Sequence, residues 1–142
     1  MFRQLTPDLF VAPQITTGSV AEAAAQGVTL IINNRPEDES DDQTPGPEIE
    51  AAAKAAGLGY VAIPVTHAGF SEWQLEAMIE ALRENDGKVL AYCRSGTRST
   101  LLWSLAQAKG GTHPAEIAER AAAAGYDVAP IAMMLDALYA AK

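Results

Sequence analysis

The chain contains a single cysteine, and it sits in the run Lys88-Val89-Leu90-Ala91-Tyr92-Cys93-Arg94-Ser95-Gly96-Thr97-Arg98-Ser99. Two arginines, a glycine and three hydroxyls follow the thiol directly, a set able to hold an anion against a nucleophile. Lys88 to Tyr92 reads as a buried parallel strand, and Leu101 to Ala106 carries helix formers at apolar spacing, so Cys93 falls at the carboxyl end of a strand. Gly96 lets the backbone turn with its N–H groups inward, and Thr97 and Ser99 are expected to cap the helix. Such a ring of donors at a helix N-terminus stabilises negative charge. Arg98 adds a planar fork suited to phosphate or sulfonate oxygens, and Arg94, Ser95, Gly96 and Thr97 complete the anion-binding loop. The same field favours the Cys93 thiolate at neutral pH. Nucleophile and oxyanion clamp thus share one loop. The alternative, Cys93 as a small buried hydrophobe in an ordinary turn, leaves Arg94 and Arg98, two of only ten basic residues, without a purpose.

The elements that must position this loop alternate strand and helix. Leu9 to Ala12 reads as a short strand, Ser19 caps an Ala-rich helix through Gln26, and Gly27 stops it. Val28 to Ile32 is a strong buried strand that empties into Asn33-Asn34-Arg35-Pro36 and an acidic loop, Glu37 to Asp42, with five carboxylates. Gly46-Pro47 begins a helix through Ala56, and Tyr60 to Ile63 is the next strand. After the loop Pro64 to Phe70, Ser71 with Gln74 forms a capping-box signature for a helix to Glu84. Helical segments over Thr97 to Lys109, Pro114 to Ala124 and Val128 to Ala140 finish the chain. The fold class is therefore α/β, a mostly parallel central sheet flanked by helices, with the Cys loop between a strand and a helix. In such sheets ligands sit outside the carboxyl ends of the strands, so the ends at Asn33, Pro64 and Cys93 should converge.

Composition narrows the function classes. With 142 residues, 49% hydrophobic and mean hydropathy near zero, residues 1–142 read as a single domain with a real core. A formal charge of −8 leaves no basic stripe to neutralise phosphates, so no nucleic-acid partner is expected. One cysteine forbids an internal disulfide, and the opening residues lack an apolar signal region, which points to a reducing, cytoplasmic setting. No stretch approaches the ~20 apolar residues of a membrane helix; two widely spaced histidines with one cysteine argue against a structural zinc site, and no metal or other cofactor is expected. The expected ligand is a small anionic substrate.

The runs Ile31-Ile32-Asn33-Asn34-Arg35-Pro36 and Tyr60-Val61-Ala62-Ile63-Pro64-Val65, followed by the Cys93 loop, resemble a dual-specificity protein tyrosine phosphatase fold. Nearly the whole chain resembles a bacterial family of small phosphatase-like domains. That family is sometimes fused to β-lactamase-like metallohydrolases, which implies a functional link to such an enzyme, and it is also catalogued among sulfurtransferases. By this resemblance Cys93 attacks phosphorus, Arg98 and the loop amides bind the equatorial oxygens, and Ser99 assists the thiolate as leaving group. Two departures stand out. The phosphatase signature has five residues between Cys and Arg and usually a His before the Cys; here four intervene, Arg94 to Thr97, and Tyr92 precedes. The aspartate that protonates the leaving oxygen in phosphatases has no counterpart in Val65-Thr66-His67-Ala68-Gly69. His67 is a substitute proton donor, or simply a loop residue capping the next helix. Asp38, Asp41 and Asp42 are further candidates, read more simply as a solvated loop.

The shorter loop resembles that of single-domain rhodaneses, in which the cysteine carries sulfane sulfur as a persulfide and needs no general acid. Three readings follow: phosphoester hydrolysis first, sulfur transfer second, and a non-catalytic anion-binding module third. Arg35, at a strand end, adds charge to the site or pairs with the neighbouring acidic loop, the simpler use. Trp73 and Trp103 read as rim or core aromatics, and Met133-Met134 as core of an apolar helix.

Overall fold

In the computed structural model, which describes residues 2–141, five strands form one sheet. β1 (Arg3–Thr6), β2 (Leu9–Ala12), β3 (Val28–Asn33), β4 (Gly59–Ala62) and β5 (Lys88–Tyr92) lie in the spatial order β1-β2-β5-β3-β4. β2, β5, β3 and β4 run parallel, and β1 joins the edge antiparallel to β2. The helices are α1 (Thr17–Ala25), α2 (Gly46–Ala55), α3 (Glu72–Glu84), α4 (Thr97–Lys109), α5 (Pro114–Ala123) and α6 (Ala132–Ala140), the last entered through a 3-10 turn at Ala129–Ile131. The α/β class with a mostly parallel sheet and flanking helices stands.

Side-chain alternation divides the core into two layers. Phe10, Ala12, Ile31, Leu90 and Tyr92 face α1 and α2, meeting Val20, Ala23, Ile49 and Ala53. Leu9, Val11, Ile32, Val89 and Ala91 face the other way, toward Met78, Leu102, Leu105, Ile117 and Leu135. Each large aliphatic side chain so removed from water contributes roughly 1.5–3 kcal/mol. An exposed ion pair such as Lys54–Glu50 contributes about 1 kcal/mol at most. Packing therefore sets where β5 ends.

Every residue of α4 from Ser99 to Ala106 is buried, and the helix packs against α3, α5 and α6. A helix covered on all sides is a core helix. Its buried hydroxyls are satisfied locally, Thr100 Oγ1 donating to Gly96 O (2.8 Å) and Ser104 Oγ to Thr100 O (2.7 Å). The helix that carries the Cys loop on its N-terminus is thus fixed by the core.

Several expectations are corrected. Helix α1 starts earlier, with Thr16 as its cap and Ser19 as the reciprocal partner, because Ser19 N donates to Thr16 Oγ1 and Thr16 N to Ser19 Oγ. Neither Thr97 nor Ser99 caps α4; Gly96 holds that position without a side-chain cap, since Ser99 is turned into the core. Strand β1 lacked a sequence signal because it is four residues long and buries only Leu5. Met133 and Met134 are 86% and 43% exposed, since α6 rests on α4 through Leu135 alone among its buried residues. Trp103 is core and Trp73 is rim. Gln74 Oε1 does accept from Ser71 N (2.8 Å), and Gln74 Nε2 donates to Pro64 O (2.8 Å), tying α3 to the end of β4.

Candidate active site

Backbone hydrogen bonds draw the three strand ends together. Asn34 N donates to Tyr92 O (2.8 Å), Ile63 N to Asn33 O (2.9 Å) and Val65 N to Asn34 O (2.9 Å). The ends at Asn33, Pro64 and Cys93 therefore converge as parallel-sheet geometry requires.

Cys93 is fully buried, its amide donating to Ala12 O (3.3 Å) while Gln14 N donates to Arg94 O (3.3 Å), so the segment after β2 braces the loop. The sulfur accepts from Gly96 N at 3.1 Å. Gly96 has φ 91°, a left-handed conformation that places its amide toward the sulfur and strains any other residue. Ser95 Oγ accepts from Thr97 N (3.3 Å) and donates to Thr97 Oγ1 (3.0 Å). Among the described residues the amides of Arg94, Ser95, Arg98 and Ser99 have no protein acceptor, which leaves them to an anion at the positive end of α4. Arg94 is exposed at the loop rim.

Arg98 reaches across to two other loops. Nη1 donates to Val65 O (2.6 Å) and Glu39 Oε2 (2.8 Å), and Nη2 to Glu39 Oε1 (2.8 Å). Its proton affinity is raised, first by the Glu39 hydrogen bond and to a lesser degree by Cys93 beside it. Arg35, buried as expected of a paired arginine, donates through Nε to Glu39 Oε1 (2.9 Å), through Nη1 to Gln14 Oε1 (2.9 Å) and through Nη2 to Ser40 Oγ (3.1 Å). The Arg98 hydrogen bond, reinforced by Arg35 against the cost of burial, holds the Glu39 carboxyl at about 2. Of the two guanidiniums on that carboxylate, Arg98 is the one beside the sulfur. An incoming oxyanion competes with Glu39 for the Arg98 fork.

A stability consequence follows from that lowered carboxyl. The ion pair contributes in full above the carboxyl's ordinary value of 4.5 and is lost as pH falls through about 2. Denaturation midpoints of the wild type and Glu39→Gln are expected to differ at neutral pH and to converge in strong acid. A gap independent of pH would remove Glu39 from this role.

Ser99 Oγ donates to Asn34 Oδ1 (2.8 Å), and Asn34 Nδ2 to Ile63 O (2.9 Å), a buried link between β3, β4 and α4. In this arrangement the Ser99 hydroxyl proton is held by Asn34. Tyr92 fills the layer under α1 and α2, where burial raises its proton affinity. Its hydroxyl faces that of Tyr60, which also weighs on its proton affinity.

The sequence candidates are thus brought together only in part. Cys93, Ser95, Gly96, Thr97, Arg98 and Ser99 form one loop, and Arg35 joins it through Glu39. His67 lies in an exposed turn, Asp38, Asp41 and Asp42 are exposed, and none of the four hydrogen-bonds to the Cys loop among the described residues. Asn34, Glu39 and Tyr126, which donates its hydroxyl to Ser95 O (3.1 Å), were not singled out as site residues. Glu39 stands four residues after Arg35, the one local signal that could have marked it; Tyr126 has none.

Comparison with known proteins agrees with this fold. Residues 1–110 match the family described as "Beta-lactamase hydrolase-like protein, phosphatase-like domain". A Beta-lactamase hydrolase-like protein of Xylella fastidiosa (strain Temecula1 / ATCC 700964) is 34% identical over 103 residues, 72% of this chain and 24% of that protein. The chain thus spans about a quarter of that relative's length. The crystal structure of a candidate phosphatase from Neisseria meningitidis Z2491 is 33% identical, with TM-score 0.84 over 96% of both chains. Kinase associated phosphatase shares the fold, with TM-score 0.74 at 14% identity over 97% of this chain and 90% of its own. The chain belongs to the phosphatase-like domain family of the beta-lactamase hydrolase-like proteins.

Proposed function

We propose that the protein is a cysteine-dependent phosphoester hydrolase. The supporting observation is the Gly96 amide at 3.1 Å from Cys93 Sγ, in a loop whose remaining amides and Arg98 are arranged for an oxyanion. The Cys93 thiolate attacks phosphorus, the ester P–O bond breaks with the leaving oxygen departing as an alkoxide or phenoxide that takes a proton from water, and a phosphocysteine forms. Water then attacks the phosphorus, the S–P bond breaks, and inorganic phosphate and the thiolate are released. The loop amides and the Arg98 fork stabilise the equatorial oxygens while Arg94 draws the anion in. A thiolate nucleophile fits a reducing, cytoplasmic compartment. The family's union with β-lactamase-like hydrolases suggests a partner enzyme of that kind.

Among the described residues the one titratable hydroxyl hydrogen-bonded to the loop, Tyr126, is committed to Ser95 O and holds its proton more tightly through burial, and Glu39 is a carboxylate at neutral pH. General acid catalysis contributes about 10²–10⁴ in rate. Aryl phosphates, whose leaving groups depart as anions, are therefore expected to turn over at least about a hundredfold faster than alkyl phosphates. Equal rates would return His67 to the role of acid.

Sulfur transfer is the second reading, favoured by the four-residue ring between Cys93 and Arg98. There the thiolate attacks the sulfane sulfur of thiosulfate, the S–S bond breaks, sulfite leaves, and the persulfide passes its sulfur to cyanide. Phosphate release from p-nitrophenyl phosphate and thiocyanate formation from thiosulfate, measured on the same reduced preparation, separate the two. Thiocyanate without phosphate would transfer the assignment.

A further inference from the structure

The family match ends at residue 110, yet the segment beyond it returns to the Cys loop through one side chain. Tyr126 lies in the turn after α5, its amide donating to Ala121 O (2.9 Å) and its hydroxyl to Ser95 O (3.1 Å). Arg3, from the edge strand β1, lies over the Tyr126 ring at 5.3 Å from its centroid and donates through Nη1 to Ala124 O (2.9 Å). The ring closes over Gly96, where a Cβ would overlap the Tyr126 hydroxyl and come within 2.9 Å of Cζ.

The Ser95 carbonyl and the Gly96 N–H are two ends of one peptide group. One end accepts the Tyr126 hydroxyl and the other donates to Cys93 Sγ. Because the group is planar, neither end turns without the other. Gly96 is the residue with the backbone freedom to let that plane flip, and a flipped carbonyl would face the sulfur. A carbonyl that accepts a hydrogen bond also makes its own N–H a stronger donor.

We propose that Tyr126 is a positioning residue for the nucleophile: its hydroxyl locks the Ser95–Gly96 peptide with the N–H directed at Cys93 Sγ and so sets the thiolate's stability. The lock acts on the thiol whether it accepts phosphoryl or sulfur, so it extends the proposed function without depending on which transfer occurs.

Tyr126→Phe tests it, because the ring stays over Gly96 and under Arg3 while only the hydroxyl is lost. The single cysteine lets thiolate ultraviolet absorbance be followed against pH, with Cys93→Ser as blank and a thermal melt alongside. The variant is expected to bind the Cys93 proton about 3–10-fold more tightly, a rise of about 0.5–1 pH unit in the titration midpoint. A midpoint that is unchanged, or that falls, overturns the proposal. A lower melting temperature with an unmoved midpoint does so as well, since it shows a packing role only.

Discussion

Cys93→Ser is expected to lower turnover of p-nitrophenyl phosphate at least about a thousandfold while leaving oxyanion binding intact. The serine hydroxyl occupies the same buried position at the end of β5, and the Gly96 amide can donate to it as it does to sulfur. Backbone support from Ala12 and Gln14 is untouched. The anion nest therefore survives, and what disappears is the thiol nucleophile. Steady-state phosphate release together with vanadate or sulfate binding checks both halves. A variant that keeps turnover would remove Cys93 from the chemistry, and a wild type that binds anions without turning over any ester would leave a binding module.

Arg98→Ala is expected to lower kcat/KM about 10²–10³-fold and to weaken vanadate binding at least about tenfold. Both terminal nitrogens of Arg98 are committed to oxygens in the structure, two bonds to Glu39 and one to Val65 O. Its fork holds the Glu39 carboxylate bidentately, the grip that an incoming oxyanion takes over. Without Arg98, Glu39 keeps its bond from Arg35 Nε, so the acidic loop stays anchored while the stability contributed by the Arg98–Glu39 pair is lost. Arg98→Lys should restore little, because an ammonium cannot form the planar fork. Phosphate-release kinetics and inhibition by vanadate read the two effects; unchanged inhibition would contradict the assignment.

What the sequence disclosed and what it hid follow from the range of each interaction. The Cys93-to-Arg98 loop was legible because its parts are consecutive: an apolar strand, a glycine able to take φ 91° and a helix start imply an amide ring without tertiary knowledge. The apolar runs that form β2, β3 and β5 were equally local. Pairing of Arg35 with the acidic loop could be anticipated, yet choosing Glu39 among five carboxylates required the position of Arg98, 59 residues away. Asn34 and Ser99 meet across 65 residues, and Tyr126 reaches Ser95 across 31. The exposure of Met133 and Met134 escaped the sequence for a related reason: hydropathy reports what a residue tolerates, while the single contact face of α6 is set by α4.

Central to this account is covalent transfer to Cys93, and the most direct measurement is the intact mass of the wild-type protein, acid-quenched during turnover of p-nitrophenyl phosphate and then mapped by peptide. The account predicts a gain of one phosphoryl group on the peptide that contains Cys93, absent in Cys93→Ser. Phosphate release with Cys93 unmodified at every time point, or a protein that gains only one sulfur from thiosulfate and never a phosphoryl group, would contradict it.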